Sequence, residues 1–156
     1  MTGGVALLVG VVGACSDAGG QTPPTSATNA AALEVELAVD ATVNADGSVS
    51  VSAATNLPAG TKLGATVRSV DGTFTAQDSQ TVLDGTASFG PFTAQGAALP
   101  AGTYDVNVTM PIARNQAQDV KDIIGWHGEH LAGPLVETES ITGDAVVTVD
   151  TVLTVP

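Results

Sequence analysis

The sequence predicts an all-β fold, an antiparallel β-sandwich of about seven strands with one short helix inserted at about 115–124. Three observations carry that prediction. Short stretches alternate apolar and polar side chains, and Asp-Gly dipeptides punctuate them. The chain is also 44% apolar but only 3% aromatic, so its core must come from Val, Leu, Ile and Ala with a few rings, a mixture that together with 18 Gly leans towards strands and turns. At 156 residues there is material for one domain with one core.

Taken in order, Leu33, Val35, Leu37 and Val39 alternate with Glu34, Glu36 and Ala38, which puts acids on one face of a strand and a core on the other. Ala45-Asp46-Gly47 supplies a turn, and Val49, Val51 and Ala53 then alternate with Ser48, Ser50 and Ser52 to complete a hairpin. Residues 63–70 follow, and Asp71-Gly72 turns the chain into a short strand over 73–78. Asp84-Gly85 separates Gln80-Thr81-Val82-Leu83 from Thr86-Ala87-Ser88-Phe89 and predicts a second hairpin. Tyr104, Val106 and Val108 alternate with Asp105, Asn107 and Thr109, and residues 145–155 form one or two last strands before Pro156 stops them.

The period changes between 111 and 125. Ala113, Ala117, Val120 and Ile124 recur at helical spacing, Asn115 and Gln118 stand where an N-cap and its N3 partner belong, and Gly125 marks the stop. A plain sandwich has no use for such an insertion, so whatever is particular to this protein is expected there and in Trp126-His127-Gly128-Glu129-His130-Leu131 behind it.

Leu-Pro-Ala-Gly-Thr occurs twice, at 57–61 and 99–103. A sortase signal needs Leu-Pro-x-Thr-Gly near a basic C-terminal tail; here Gly and Thr are reversed and both copies are internal, so both are turns. In the second copy, Leu99, Gly102 and Tyr104 resemble the tyrosine corner of Greek-key sandwiches, in which the phenol bonds back to upstream backbone. With about seven strands, this makes an immunoglobulin-like sandwich over 33–156 the expected class.

The N-terminus reads differently. Val5-Ala6-Leu7-Leu8-Val9-Gly10-Val11-Val12-Gly13-Ala14 is too short to span a bilayer as a stable helix but suits a secretory apolar region, and 1–14 is expected to be a signal peptide. No Lys or Arg precedes it, so the true start is expected to lie upstream. Residues 16–32 are rich in Ser, Thr, Pro, Gly and Ala and cannot bury enough surface to offset their ordering entropy. With Cys15, they form a tether over 15–32 with an r.m.s. reach of about 20 to 25 Å.

Charge and motif content exclude several function classes. Four basic against 16 acidic residues give a net charge of -12, which repels nucleic acid. No Gly-x-Ser-x-Gly elbow, calcium loop or phosphate-cradling glycine loop is present, the single cysteine allows no internal disulfide, and the helix is too short and too poor in Lys and Arg to be a membrane-surface helix. The one dense polar cluster is His127, Glu129 and His130. Imidazole and carboxylate suit zinc or copper, which makes these three the candidate metal ligands, although their spacing is wrong for a helical zinc-protease motif. The alternative is an exposed loop packed down by Trp126.

Val12-Gly13-Ala14-Cys15 resembles the lipobox of bacterial lipoproteins, which implies that Cys15 is lipidated and becomes the mature N-terminus. Over 55–136 the order of Thr55-Asn56-Leu57-Pro58-Ala59-Gly60-Thr61, Ala76-Gln77-Asp78, Gly90-Pro91-Phe92, Leu99-Pro100-Ala101-Gly102-Thr103-Tyr104 and Ile124-Gly125-Trp126-His127-Gly128-Glu129-His130-Leu131 resembles a group of poorly characterised bacterial and prophage surface lipoproteins. The resemblance implies an exported single domain on a lipid anchor at the extracytoplasmic face of the cell membrane. The expected function is therefore non-enzymatic presentation of the sandwich to an envelope protein or glycan, with exclusion of competing phages as the natural role of a phage-borne copy. No nucleic acid and no cofactor beyond the Cys15 lipid are expected, and the alternative is metal binding by the His127 loop.

Overall fold

The computed structural model describes residues 31–156. The expected signal peptide, Cys15 and all but the last two residues of the expected tether lie outside the described residues. Within them are ten strands, one 3-10 turn and one α-helix: β1 Leu33–Glu34, β2 Leu37–Val43, β3 Val49–Thr55, β4 Lys62–Ser69, β5 Thr75–Thr81, β6 Thr86–Phe92, β7 Gly102–Met110, the 3-10 turn Ala113–Asn115, α1 Gln118–Ile124, β8 Leu131–Ala132, β9 Val136–Thr138 and β10 Ala145–Val155.

The fold is an all-β sandwich. One antiparallel sheet runs β2-β3-β6 and the other β5-β4-β7-β10-β9. Seven strands, β2 to β7 and β10, make the frame that the alternation predicts. The first, second and fifth of these form one sheet and the third, sixth and seventh the other, which is the immunoglobulin-like arrangement. The fourth, β5, pairs with β4 at the edge of the larger sheet. The three further strands are short pieces at the margins.

The period of two does its work. Val49, Val51 and Ala53 of β3, Leu63, Ala65 and Val67 of β4, Ala87, Phe89 and Phe92 of β6, and Tyr104, Val106, Val108 and Met110 of β7 all point into one shared core. Burying one such Val, Leu or Phe side chain is worth about 1.5–3 kcal/mol, so this layer is the main source of stability. Gly47 and Gly85 take positive φ of 76° and 75°, and Asp84 beside Gly85 is also positive at 49°, as a tight primed turn requires.

Three expectations are corrected. The strand over 33–39 is broken at Val35 and Glu36: β1 pairs in parallel with β8, and the chain then crosses to β3 as β2. The side chain of Asn56 fills the break, accepting from the Glu36 N–H at 2.9 Å and donating to the Glu34 carbonyl at 2.7 Å. At Asp84-Gly85 the turn forms, but the expected hairpin does not. Leu83 and Thr86 make a single bridge, after which β5 and β6 lie in opposite sheets. The cause is Val82, which is wholly buried and pairs back to Thr61 instead of on towards Ala87.

The third correction concerns the helix, which spans Gln118–Ile124 and not 115–124. Its N-cap is Ala117, without a side-chain cap, and Asn115 ends the preceding 3-10 turn. Gln116 breaks the two apart. It is buried in extended conformation because its amide accepts from the Lys62 N–H at 2.7 Å and donates to the Lys62 carbonyl at 3.1 Å. Gly125 ends the helix as expected, with φ of 92°.

Antiparallel pairing sorts the connections to two ends. The near pole holds the start of β2, the ends of β3, β5 and β7, and the starts of β4, β6 and β10; it therefore carries the first Leu-Pro-Ala-Gly-Thr, the Asp84-Gly85 turn and the insertion over 111–144. The far pole carries the turns at 44–48 and 70–74 and the second Leu-Pro-Ala-Gly-Thr. The chain reaches the sandwich at the near pole, where the Leu33 N–H donates to the His130 carbonyl at 2.7 Å.

Candidate functional site

The insertion plugs the near pole. Ala113, Val120 and Ile124 are wholly buried, so the helical stripe read from the sequence serves as core, whereas Ala117 is exposed. Behind the helix, Gly128 sits so close to the start of β10 that a Cβ there would come within 2.5 Å of the Ala145 Cβ, and its φ is 81°. Glycine is therefore required at the centre of Trp126-His127-Gly128-Glu129-His130.

Each candidate ligand of this loop is turned to a different partner. His127 Nδ1 lies 2.7 Å from Oδ1 of Asp144, whose side chain has no exposed surface. Because a carboxylate accepts, this Nδ1 carries the proton. The Glu129 carboxylate folds back onto its own loop and accepts the His127 N–H at 2.8 Å. Its own backbone N–H and that of His127 hold its carboxyl below the ordinary 4.5. His130 Nδ1 donates to the Ile123 carbonyl at 2.9 Å. Among the described residues, no three His, Cys, Asp or Glu side chains are grouped so as to hold a metal ion.

Asp144 is the hub. Its Oδ2 has Arg114 Nη2 at 3.1 Å but no partner in hydrogen-bonding geometry, so the guanidinium contributes charge more than a directed bond. Burial pushes its carboxyl up, yet the Thr142 hydroxyl, the His127 imidazole and the Arg114 guanidinium together hold it below the ordinary 3.8. The Ala145 N–H donates to the His127 carbonyl at 2.7 Å. The 3-10 turn, the histidine loop and β10 are thus joined at one buried carboxylate.

Trp126 does not pack the loop down as expected. It is 50% exposed, with Lys121 Nζ 4.2 Å from the ring centroid. The burial that a tryptophan would have supplied comes instead from Gly128 against Ala145 and from Asp144.

At the far pole the predicted corner is built. The Tyr104 hydroxyl donates to the Pro100 carbonyl at 2.8 Å, its ring packs edge-on against Phe74 at 5.9 Å, and burial together with the charge of Asp71 pushes its phenol up. Leu99 is buried, whereas Gly102 is exposed where it opens β7 opposite Val155. A shallow cleft of about 320 Å³ runs beside the corner, lined among others by Ser69, Asp71, Thr73 and Thr103. The Ser69 hydroxyl, then the Thr73 N–H and hydroxyl, bring the Asp71 carboxyl down to about 2.

Reading along the chain found His127, Glu129, His130 and Tyr104 but missed Asp144, Gln116 and Asn56. The last two bond across 54 and 20 residues, a separation at which no local pattern signals a partner. Asp144 follows Thr142-Gly143 and looks like any turn acid. No protein-family profile, no curated protein sequence and no solved structure matched the chain, so the likeness to surface lipoproteins rests on the motifs quoted above.

Proposed function

We propose that this chain is a lipid-anchored extracytoplasmic lipoprotein that carries out no chemistry of its own and presents its sandwich to a protein or glycan partner at the cell envelope. The observation that carries this reading is Val12-Gly13-Ala14-Cys15 at the end of an apolar run, followed by a segment rich in Ser, Thr, Pro, Gly and Ala. Two features of the fold support it. The sandwich begins at Leu33, directly after that segment. The polar groups of the insertion also serve its own architecture: Glu129 closes its loop, His130 binds the helix end, His127 hydrogen-bonds Asp144, and Arg114 brings a positive charge beside it.

Two acyl chains on Cys15 give stable anchoring where one would not. The test is metabolic labelling with palmitate. Label enters the native chain and is lost in Cys15→Ser, while the domain itself still folds; label absent from the native chain, or equal in both, ends the anchoring claim. A cross-linking pull-down from intact cells with the anchored chain then identifies the partner, and recovery of none but cytoplasmic proteins would contradict the location.

A further inference from the structure

The two poles differ in what they expose. Six large apolar side chains stand out among the described residues, and four of them, Leu83 at 66%, Ile123 at 56%, Trp126 at 50% and Ile141 at 89%, belong to the near pole. So do Lys62, Arg114 and Lys121, three of the four basic residues of the chain. These apolar groups stand on the last turn of α1 and in the turns around it. Tryptophan with a lysine stacked on it is the pairing favoured at the boundary between hydrocarbon and water, because each offers an apolar body with a polar end.

The same pole is where the chain arrives. Leu33 is stitched to His130 by its N–H, and Cys15 lies 18 positions before it in the sequence. A lipid joined so few residues away would hold this end of the sandwich at high effective concentration against the surface that carries the lipid. We infer that the near pole rests on the headgroup region of a zwitterionic phospholipid bilayer, with Trp126, Ile123 and Ile141 entering the interface and Lys121 meeting the phosphates beside Trp126. Asp119, Asp122, Glu129, Glu137, Glu139 and Asp144 lie in the same insertion and outnumber its basic residues, so anionic lipid is repelled and the contact is with phosphatidylcholine-like or phosphatidylethanolamine-like headgroups. The inference rests on the lipid-anchor reading, and it adds an orientation: the Tyr104 cleft at the far pole points away from the membrane.

The chain carries its own probes, since Trp126 is its only tryptophan and Cys15 its only cysteine. The chain from Cys15 onward, which contains every described residue, is coupled through that thiol to a maleimide-headgroup lipid in phosphatidylcholine vesicles, so attachment does not depend on cellular lipidation. On coupling, Trp126 emission shifts to the blue, brominated phosphatidylcholine quenches it, and acrylamide quenching falls several-fold relative to the uncoupled chain. A double Ile123→Asp, Ile141→Asp variant, changed only at exposed positions, keeps its melting temperature but returns to the exposed emission. A coupled chain that floats with the vesicles while its emission and acrylamide quenching stay those of the free chain overturns the inference and leaves this pole to water or a soluble partner. Failure of palmitate labelling in cells with bromolipid quenching intact would sink the anchor reading alone.

Discussion

His127 and Asp144, 17 residues apart in the chain, meet with Nδ1 2.7 Å from Oδ1, and the carboxylate they share with Arg114 has no exposed side-chain surface. Removing a buried charge's partners is generally more damaging than never having had the pair, because the remaining group is left desolvated and alone. Arg114→Ala and His127→Ala are therefore each expected to lower the melting temperature more than Asp144→Ala, which leaves behind only side chains that are 42% and 51% exposed and that water solvates. Thermal denaturation of the three variants at neutral pH checks the order. If Arg114→Ala and His127→Ala both melt with the native chain, the carboxylate is not the hub of the insertion.

The tyrosine corner gives a second expectation. Tyr104→Phe keeps the ring against Phe74 but removes the donor to Pro100. The loss is expected to be about 1 kcal/mol or slightly more in urea denaturation, with an unchanged m-value. An unchanged midpoint would mean that water satisfies the Pro100 carbonyl equally well.

Gln116 and Asn115 separate what the structure uses from what the sequence suggested. Gln116→Ala strips the Lys62 N–H and carbonyl of their partner and is expected to cost about 1–3 kcal/mol. Asn115→Ala removes no cap from α1 and is expected to fall within about 0.5 kcal/mol of the native chain. Reversal of the two would restore the helix start read from the sequence.

Acid stability follows from the carboxylates that the folded chain stabilises. Asp46, Asp71, Asp78, Asp144, Glu129 and Glu139 all sit below their ordinary values of 3.8 or 4.5, Asp71 at about 2. A depressed folded-state value means that the unfolded chain binds protons first, so this stabilisation is complete above about pH 5 and drains away as the pH falls through 4 towards 2. The melting temperature is expected to be flat from pH 7 to about 5 and then to drop steeply, and Asp71→Asn should blunt the lowest part of the drop. A melt that improves on acidification would contradict the assignment.

Metal binding by the loop is checked calorimetrically. With His127, Glu129 and His130 turned to separate partners, titration of zinc or copper into the chain is expected to give no saturable heat. Saturable binding that disappears in a His127→Ala, His130→Ala double variant would reinstate the loop as a metal site.

The frame was legible because a strand with one buried face writes its period into neighbouring residues. Val49, Val51 and Ala53, or Val106 and Val108, need no knowledge of the rest of the chain to be recognised, and the Asp-Gly turns are equally local. The break at Val35 and the separation of β5 from β6 were not legible, because alternation reports that a strand exists and says nothing about its partner. The helix start failed for a related reason: Asn115 satisfies the local capping pattern, but Gln116 is drawn to Lys62 by a tertiary bond. In the candidate site the histidines announced themselves by type, while Asp144, which determines where one of them points, resembles any acid in a turn.

The register at the mouth of the insertion carries a last consequence. Met110 pairs with Val147, so residues 111–146 leave and rejoin the sheet at neighbouring positions, about 5 Å apart. A loop closed in this way imposes no strain on the strands that bracket it, and its length is free to change provided that something replaces Val120 and Ile124 as the stopper of the core. The sandwich is in this sense a chassis with an exchangeable lid, and descendants of one frame could carry very different insertions, with their own counterparts of β8 and β9, without altering any pairing among β2 to β7 or between β7 and β10.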